Sequence, residues 1–138
     1  AQGDILVTPL QSLRYINHIA SKGKTPKLKL NAGKEIEYYD DIDLSGQSWD
    51  RVIKGLYDVV NTEGGSGWRA KQSKVKLYGK TSTAENPHGE DHAWFIGWMD
   101  YLDNKYSIVV LLENAGSGGA IAAPIARQVF NDIINLNS

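Results

Sequence analysis

The stretch Gly79-Lys80-Thr81-Ser82-Thr83-Ala84-Glu85 decides how this chain reads. It follows Lys74-Val75-Lys76-Leu77-Tyr78, where polar and apolar residues alternate. That alternation, with threonine and tyrosine enriched, predicts a strand over 74–85 with one solvated face. Strand geometry then turns Lys80 and Ser82 to one side of the sheet and Thr81 and Thr83 to the other. Two further strands are expected downstream. Residues 92–98 carry Trp94, Phe95 and Trp98; Trp94 and Trp98 share a face, where packing is favoured over sugar stacking. Residues 106–112 are nearly all apolar and are expected to be buried on both faces. Asp103-Asn104-Lys105 predicts a tight turn, so these two strands should pair antiparallel.

Helices flank this meander. Thr8 followed by Pro9 is an N-cap with proline at the first helical position, and the spacing of Leu10, Leu13, Ile16, Ile19 and Ala20 carries a helix to a stop near Gly23. Residues 25–30 read extended, and 31–46 read as a solvated loop or hairpin with an acidic run at Asp40, Asp41 and Asp43. Trp49, Val52, Ile53, Leu56, Tyr57 and Val60 mark a second amphipathic helix, ended by Gly64, Gly65 and Gly67. After the glycine-rich 114–119 segment, Ile125, Val129, Phe130, Ile133 and Ile134 form the stripe of a last helix. No internal repeat or linker interrupts the order. The expected fold class is α+β, an antiparallel three-stranded meander flanked by helices.

Composition narrows the function. Fifteen basic against sixteen acidic residues leave a net charge of −1, with no clustered basic face for a nucleic acid. The absence of cysteine excludes disulfides and thiolate metal sites. The longest aliphatic run, Ile108 to Leu112, is far too short to span a bilayer. The N-terminus has neither the basic nor the apolar region of a signal peptide, so any signal or anchor is expected outside this sequence.

Lysine beside hydroxyl residues on extended backbone offers a cation, hydroxyl donors and backbone N–H groups in a row, an array suited to a carboxylate. The segment from Gly79 resembles the K-T-G motif of penicillin-binding proteins and serine β-lactamases. Its surroundings carry the resemblance further. Gln2-Gly3 with Val7-Thr8-Pro9-Leu10-Gln11 is similar to the G-Q-G…T-P-L-Q stretch of class B penicillin-binding proteins. Asn86-Pro87-His88-Gly89 and His92-Ala93-Trp94-Phe95-Ile96-Gly97 resemble the loop and strand that follow K-T-G in elongation-type, PBP2-like enzymes. Glu113-Asn114, Gly116 to Gly119 and Ala123-Pro124-Ile125-Ala126 resemble that family's last strand and final helix.

The resemblance implies the penicillin-binding/serine β-lactamase-like fold, with residues 1–138 forming the C-terminal half of a transpeptidase domain. It implies Lys80 as a catalytic residue that stabilises negative charge and helps organise proton transfer. Thr81, Ser82 and Thr83 would bind substrate: the threonines would hold the terminal carboxylate of a D-Ala-D-Ala stem peptide or of a β-lactam, and the Thr83 N–H would serve the oxyanion hole. No cofactor or metal is implied. The implied setting is the bacterial envelope, on the extracytoplasmic face of the cytoplasmic membrane, with the other half of the domain as partner and an exposed sheet edge open to self-association.

Two features depart from the family pattern. Ser82 stands where the motif has glycine, which leaves either an intact site with a tighter floor or a weakened one. The S-x-x-K and S-D-N motifs have no counterpart in the right setting. Ser21-Lys22-Gly23-Lys24 sits at a helix end, and Ser73-Lys74-Val75-Lys76 lies in an alternating strand, where positions three apart face opposite ways, whereas the chemistry needs serine and lysine one helical turn apart. Tyr15-Ile16-Asn17 lies inside a helix. The nucleophilic serine is therefore expected on a segment outside this sequence. Other readings are a β-lactamase or β-lactam sensor, a non-catalytic interaction module, and a metal-binding domain built on His88 and His92. For those histidines a hydrogen-bonded loop is the preferred reading, and Gly116-Ser117-Gly118-Gly119 reads as a helix-opening turn rather than a phosphate cradle.

Overall fold

The computed structural model describes residues 6–31, 33 and 35–137, so Gln2-Gly3 of the opening stretch lies outside the described residues. Three strands, β1 (Lys76–Ala84), β2 (His92–Tyr101) and β3 (Asn104–Leu112), pair antiparallel in the order β1-β2-β3. Three helices, α1 (Pro9–Ala20), α2 (Gly46–Asn61) and α3 (Ala123–Leu136), cover the sheet. The α+β meander expected from the sequence is the observed one.

Local chemistry sets the helix boundaries. Thr8 closes a capping box: its Oγ1 accepts from the Gln11 N–H at 3.2 Å, and its own N–H donates to Gln11 Oε1 at 2.8 Å. At the other end Lys22 and Gly23 take positive φ, and Gly23 N–H donates to His18 O at 2.8 Å. A Cβ on Gly23 would also overlap the Ile42 carbonyl, so glycine is required there on two counts. Residues 25–27 pair antiparallel with 37–39: Tyr39 N–H donates to Thr25 O and Lys27 N–H to Glu37 O.

The two faces of the sheet carry separate cores. Leu77, Ala93, Phe95 and Met99 pack with Val60, Ala70 and the α3 residues Ala123, Ala126, Phe130 and Ile134. On the opposite face Tyr78, Ile96 and Trp98 pack against Ile16, Ile19, Ala20 and Trp49 of α1 and α2. Trp98 stacks on Tyr78 with ring centroids 4.6 Å apart. Trp94, expected to pack like Trp98, instead lines an open cleft.

Several boundaries and faces differ from expectation. β1 begins at Lys76, β2 runs on to Tyr101 and β3 starts at Asn104. The turn is Leu102-Asp103, both at positive φ, as a two-residue type I′ hairpin requires. β3 is only half-buried along its apolar run, because it is an edge strand: among the described residues no strand pairs with its outer flank. On α2, Val52 is exposed. On α3 the buried stripe is Ala123, Ala126, Phe130 and Ile134; Ile125 and Val129 face outward, since small alanines let the helix approach the sheet.

Gly79 and Gly97 are cross-strand partners, and the Phe95 ring occupies the space where both Cβ atoms would stand. A Cβ on Gly97 would also overlap the Tyr78 carbonyl oxygen, which belongs to fixed backbone. Gly97→Ala is therefore expected to cost about 1–3 kcal/mol. Thermal denaturation would show the loss as roughly 2–4 °C in Tm per kcal/mol.

A second prediction concerns pH. His18 Nε2 lies 3.4 Å from Arg14 Nε, which donates to it, and Nδ1 lies 2.7 Å from the Thr25 hydroxyl. Burial, then the Arg14 charge, hold the imidazole below its ordinary pKa of 6.5. The unfolded chain takes up that proton more readily. The stability gained is thus present above pH 6.5 and lost as pH falls below it. Melting curves at pH 7.5 and 5.5 are expected to show this loss, and His18→Gln is expected to reduce the difference.

Candidate active-site cleft

β1 carries the lysine-threonine array and is an edge of the sheet among the described residues, and its alternation places the four expected site residues on two sides. Lys80 and Ser82 stand opposite Ile96 and Trp94; Thr81 and Thr83 stand opposite Phe95 and Ala93. Two clefts flank the strand. One, of about 870 Å³, includes Lys80, Thr81, Ser82 and Thr83 with Ser66 and Ser117. The other, of about 930 Å³, includes Lys80 and Ser82 with His92, Trp94, Glu85 and Asp91. Lys80 and Ser82 thus line both clefts, and the threonines only the first.

Three segments distant in sequence meet at the first cleft: β1, the glycine-rich loop that follows α2, and the π-turn Gly118–Ala122 that leads into α3. The π-turn sits directly on the strands. A Cβ on Gly118 would overlap the carbonyl oxygens of Ser82 and Trp94, themselves cross-strand partners. Gly118 N–H donates to Thr83 Oγ1 at 3.3 Å. Since Thr83 accepts there, its own O–H remains available to the cleft. The helix-opening turn expected from Gly116 to Gly119 is observed, in π rather than α form.

Thr81 has a different environment. It is only 6% exposed, and its hydroxyl donates to Ser66 Oγ at 2.8 Å. Lys80 is exposed, and its Nζ donates to the Thr81 carbonyl oxygen. Arg69 and Lys71 add two cations to the same cleft against one acid, Glu63. Together with Lys80 they bias it toward an anion. Ser66, Arg69 and Lys71 escaped the sequence reading. Gly64-Gly65-Ser66-Gly67 reads as a flexible helix stop, and only the fold brings it beside Thr81.

The 86–92 loop is held by hydrogen bonds. Asn86 Nδ2 donates to Asn114 Oδ1 at 2.6 Å, the His88 N–H donates to Asn86 Oδ1 at 3.0 Å, and His92 Nδ1 accepts from the Asn114 N–H at 3.0 Å. Ser21, in the first S-x-x-K look-alike, caps α1, and its hydroxyl bonds to Asn17 O and Thr25. Lys22 and Gly23 at positive φ break the helical turn that the chemistry needs. In the second, Lys76 opens β1.

Comparison with known proteins agrees with this geometry. The family model described as the penicillin-binding protein transpeptidase domain matches residues 1–131. The peptidoglycan D,D-transpeptidase MrdA of Haemophilus influenzae is 33% identical over 160 residues, covering 97% of this chain and 25% of that protein. PbpA of Mycolicibacterium smegmatis, also named a peptidoglycan D,D-transpeptidase, is 31% identical over 147 residues, covering 94% of this chain and 30% of that protein. Pseudomonas aeruginosa PBP2 in complex with WCK 5153 superposes with a TM-score of 0.76 at 27% identity, over 94% of this chain and 30% of that one. The ceftriaxone acyl-enzyme of M. tuberculosis penicillin-binding protein A gives a TM-score of 0.78 at 26% identity, over 94% and 33%. The chain therefore spans a quarter to a third of the length of these relatives. A family match over nearly its whole length, with the K-T-S-T strand on a cleft, means that the chain belongs to the penicillin-binding protein transpeptidase family, on its PBP2-like class B branch.

Proposed function

We propose that residues 1–138 are the C-terminal half of a transpeptidase domain and supply the lysine-threonine wall of a peptidoglycan D,D-transpeptidase cleft. The observation that carries this is the placement of Lys80, Thr81, Ser82 and Thr83 on a strand lining a cleft with two further cations. In this reading the substrate is a stem peptide ending in D-Ala-D-Ala, and β-lactams bind in its place. A serine on a segment outside this sequence attacks the penultimate carbonyl. Lys80 stabilises the negative charge and helps organise transfer of the serine proton. The Thr83 N–H donates to the oxyanion; losing one such donor typically costs roughly 3–4 kcal/mol in the transition state. D-Ala then leaves, and an amine of a second stem peptide takes the acyl group from the serine ester.

The threonine hydroxyls and the cationic cleft hold the substrate carboxylate, Thr83 with a proton still free to donate. The relatives are bacterial proteins named for peptidoglycan chemistry, which supports an envelope location. The finer placement, an extracytoplasmic domain anchored by a segment outside this sequence, belongs to the same proposal. So do pairing of the β3 edge with the other half of the domain and its self-association when that half is absent.

Intact-mass spectrometry after incubation with a penicillin tests the proposal. The chain alone is expected to show no adduct. Mixed with the rest of its parent domain, it is expected to leave the adduct on the added half. An adduct on this chain alone would make one of its own serines the nucleophile and overturn the split-site reading. In the assembled domain Lys80→Met is expected to slow acylation by about 10²-fold or more, the scale of a lost proton-transfer partner.

A further inference from the structure

We infer that two copies of the parent protein pair face to face, the acidic run Asp40-Asp41-Ile42-Asp43-Leu44 of each seated in a lysine-rimmed cleft of the other. This cleft shares no residue with the two that flank Lys80.

The cleft, of about 660 Å³, lies where α1, α2 and the start of β1 meet β2. Ala20, Ile53, Tyr57, Tyr78 and Trp98 give it an apolar lining. Lys22, Lys54, Lys76 and Lys105 border it against two acids, Asp50 and Asp100. Lys22 holds Asp50 at 2.9 Å, Lys105 holds Asp100 at 2.7 Å, and Lys54 pairs with Asp58 on its own helix. Lys76 enters none of the ion pairs among the described residues.

Trp98 supplies an independent observation. It is 1% exposed and lines the cleft, and among the described residues its buried Nε1–H has no hydrogen-bond partner. Tyr78 stacks on the face of the ring and leaves the in-plane N–H to be met from elsewhere. Indole is a donor only, and a buried donor left unpaired costs more than a typical hydrogen bond gains. An unpaired N–H and an unpaired ammonium on one apolar cleft suit a carboxylate next to an aliphatic side chain.

The chain carries such a segment. Asp40, Asp41 and Asp43 are interspersed with the exposed Ile42 and Leu44. The three aspartates enter no ion pair among the described residues, and the run does not line the cleft of its own chain. It lies beside that cleft, however. The Ile42 N–H donates to Gly23 O at 3.4 Å, and Gly23 follows Lys22 of the rim. Run and cleft thus neighbour each other on the molecule, and one two-fold axis satisfies both contacts at once.

The test is the oligomeric state of the parent protein, read by sedimentation velocity over a concentration series. The wild type is expected to dimerise, and added salt to weaken the dimer. Lys76→Glu, and separately Asp41→Lys combined with Asp43→Lys, are each expected to weaken it about tenfold or more, the scale of a hydrogen bond to a charged group. Mixed in equal amounts, the two variants are expected to form a heterodimer, since each reversed surface then meets its complement. Lys76 stands opposite Asp100 in the sheet, so Lys76→Gln, which adds no repulsion within the chain, serves as a second variant and is also expected to weaken the dimer. A monomeric wild type overturns the inference. If a synthetic peptide of residues 39–45 binds that monomer at the cleft, the occupant is an acidic segment of another protein. A dimer that none of these substitutions weakens forms through another face, such as the β3 edge, and overturns the inference as well. So does a mixture that stays monomeric while both variants melt like the wild type.

Discussion

One aromatic ring holds the lysine-threonine strand in place. Phe95 lies over a pair of glycines, Gly79 and Gly97, that face each other across β1 and β2. Any side chain on either would need the space the ring fills. The ring in turn is fully buried against the α3 core. Gly79 immediately precedes Lys80, so this contact fixes both the register of the edge strand and the height at which the lysine and hydroxyls leave the sheet. An edge strand held only by ladder bonds on one flank can fray. Here a buried side chain anchors it just before the residues that matter.

A second close approach completes the cleft from the far end of the chain. Gly118 sits against the carbonyls of Ser82 and Trp94, and its N–H reaches Thr83. The start of the last helix is thereby tied to the strand through backbone atoms, a contact that no side chain could make without moving the helix away. The loop after α2 is tied on through Ser66 and Thr81. Two hydroxyls that the motif alone would aim at a ligand thus have prior structural partners, and they differ in what remains. Thr83 accepts and keeps its proton for the cleft. Thr81 donates its proton to Ser66.

Much of this was legible in the residues. The cap at Thr8, the three strands, the helix stop at Gly23 and the faces of Lys80 and Thr81 follow from local rules that act over a few residues. The errors fall where burial depends on distant neighbours. The apolar run of β3 predicted two covered faces, yet nothing in residues 106–112 states that the strand lies at an edge. Ile125 and Val129 looked like core beside Phe130. The helix instead turns its alanines inward, because closeness to the sheet outweighs side-chain size. Ser66 had no signal of its own: a serine among glycines is ordinary loop chemistry until the fold sets it 2.8 Å from a buried threonine.

Ser82 can be weighed on the same geometry. It shares the side of β1 with Tyr78 and Lys80, away from the π-turn and the α3 core. On the other side, where Gly79 sits, an added Cβ would meet Phe95 at once. Next to Lys80 the sheet is bordered by a cleft of about 930 Å³ that Ser82 lines, so a hydroxymethyl group there lies at the cleft rather than in the α3 core. The backbone that seats Gly118 passes through Ser82 by its carbonyl oxygen, which glycine would offer equally. This supports the reading in which serine leaves the strand and its hydroxyls in place and alters only the floor beside the lysine. The consequence of the substitution then lies in what can lie against Lys80, not in whether the fold presents it.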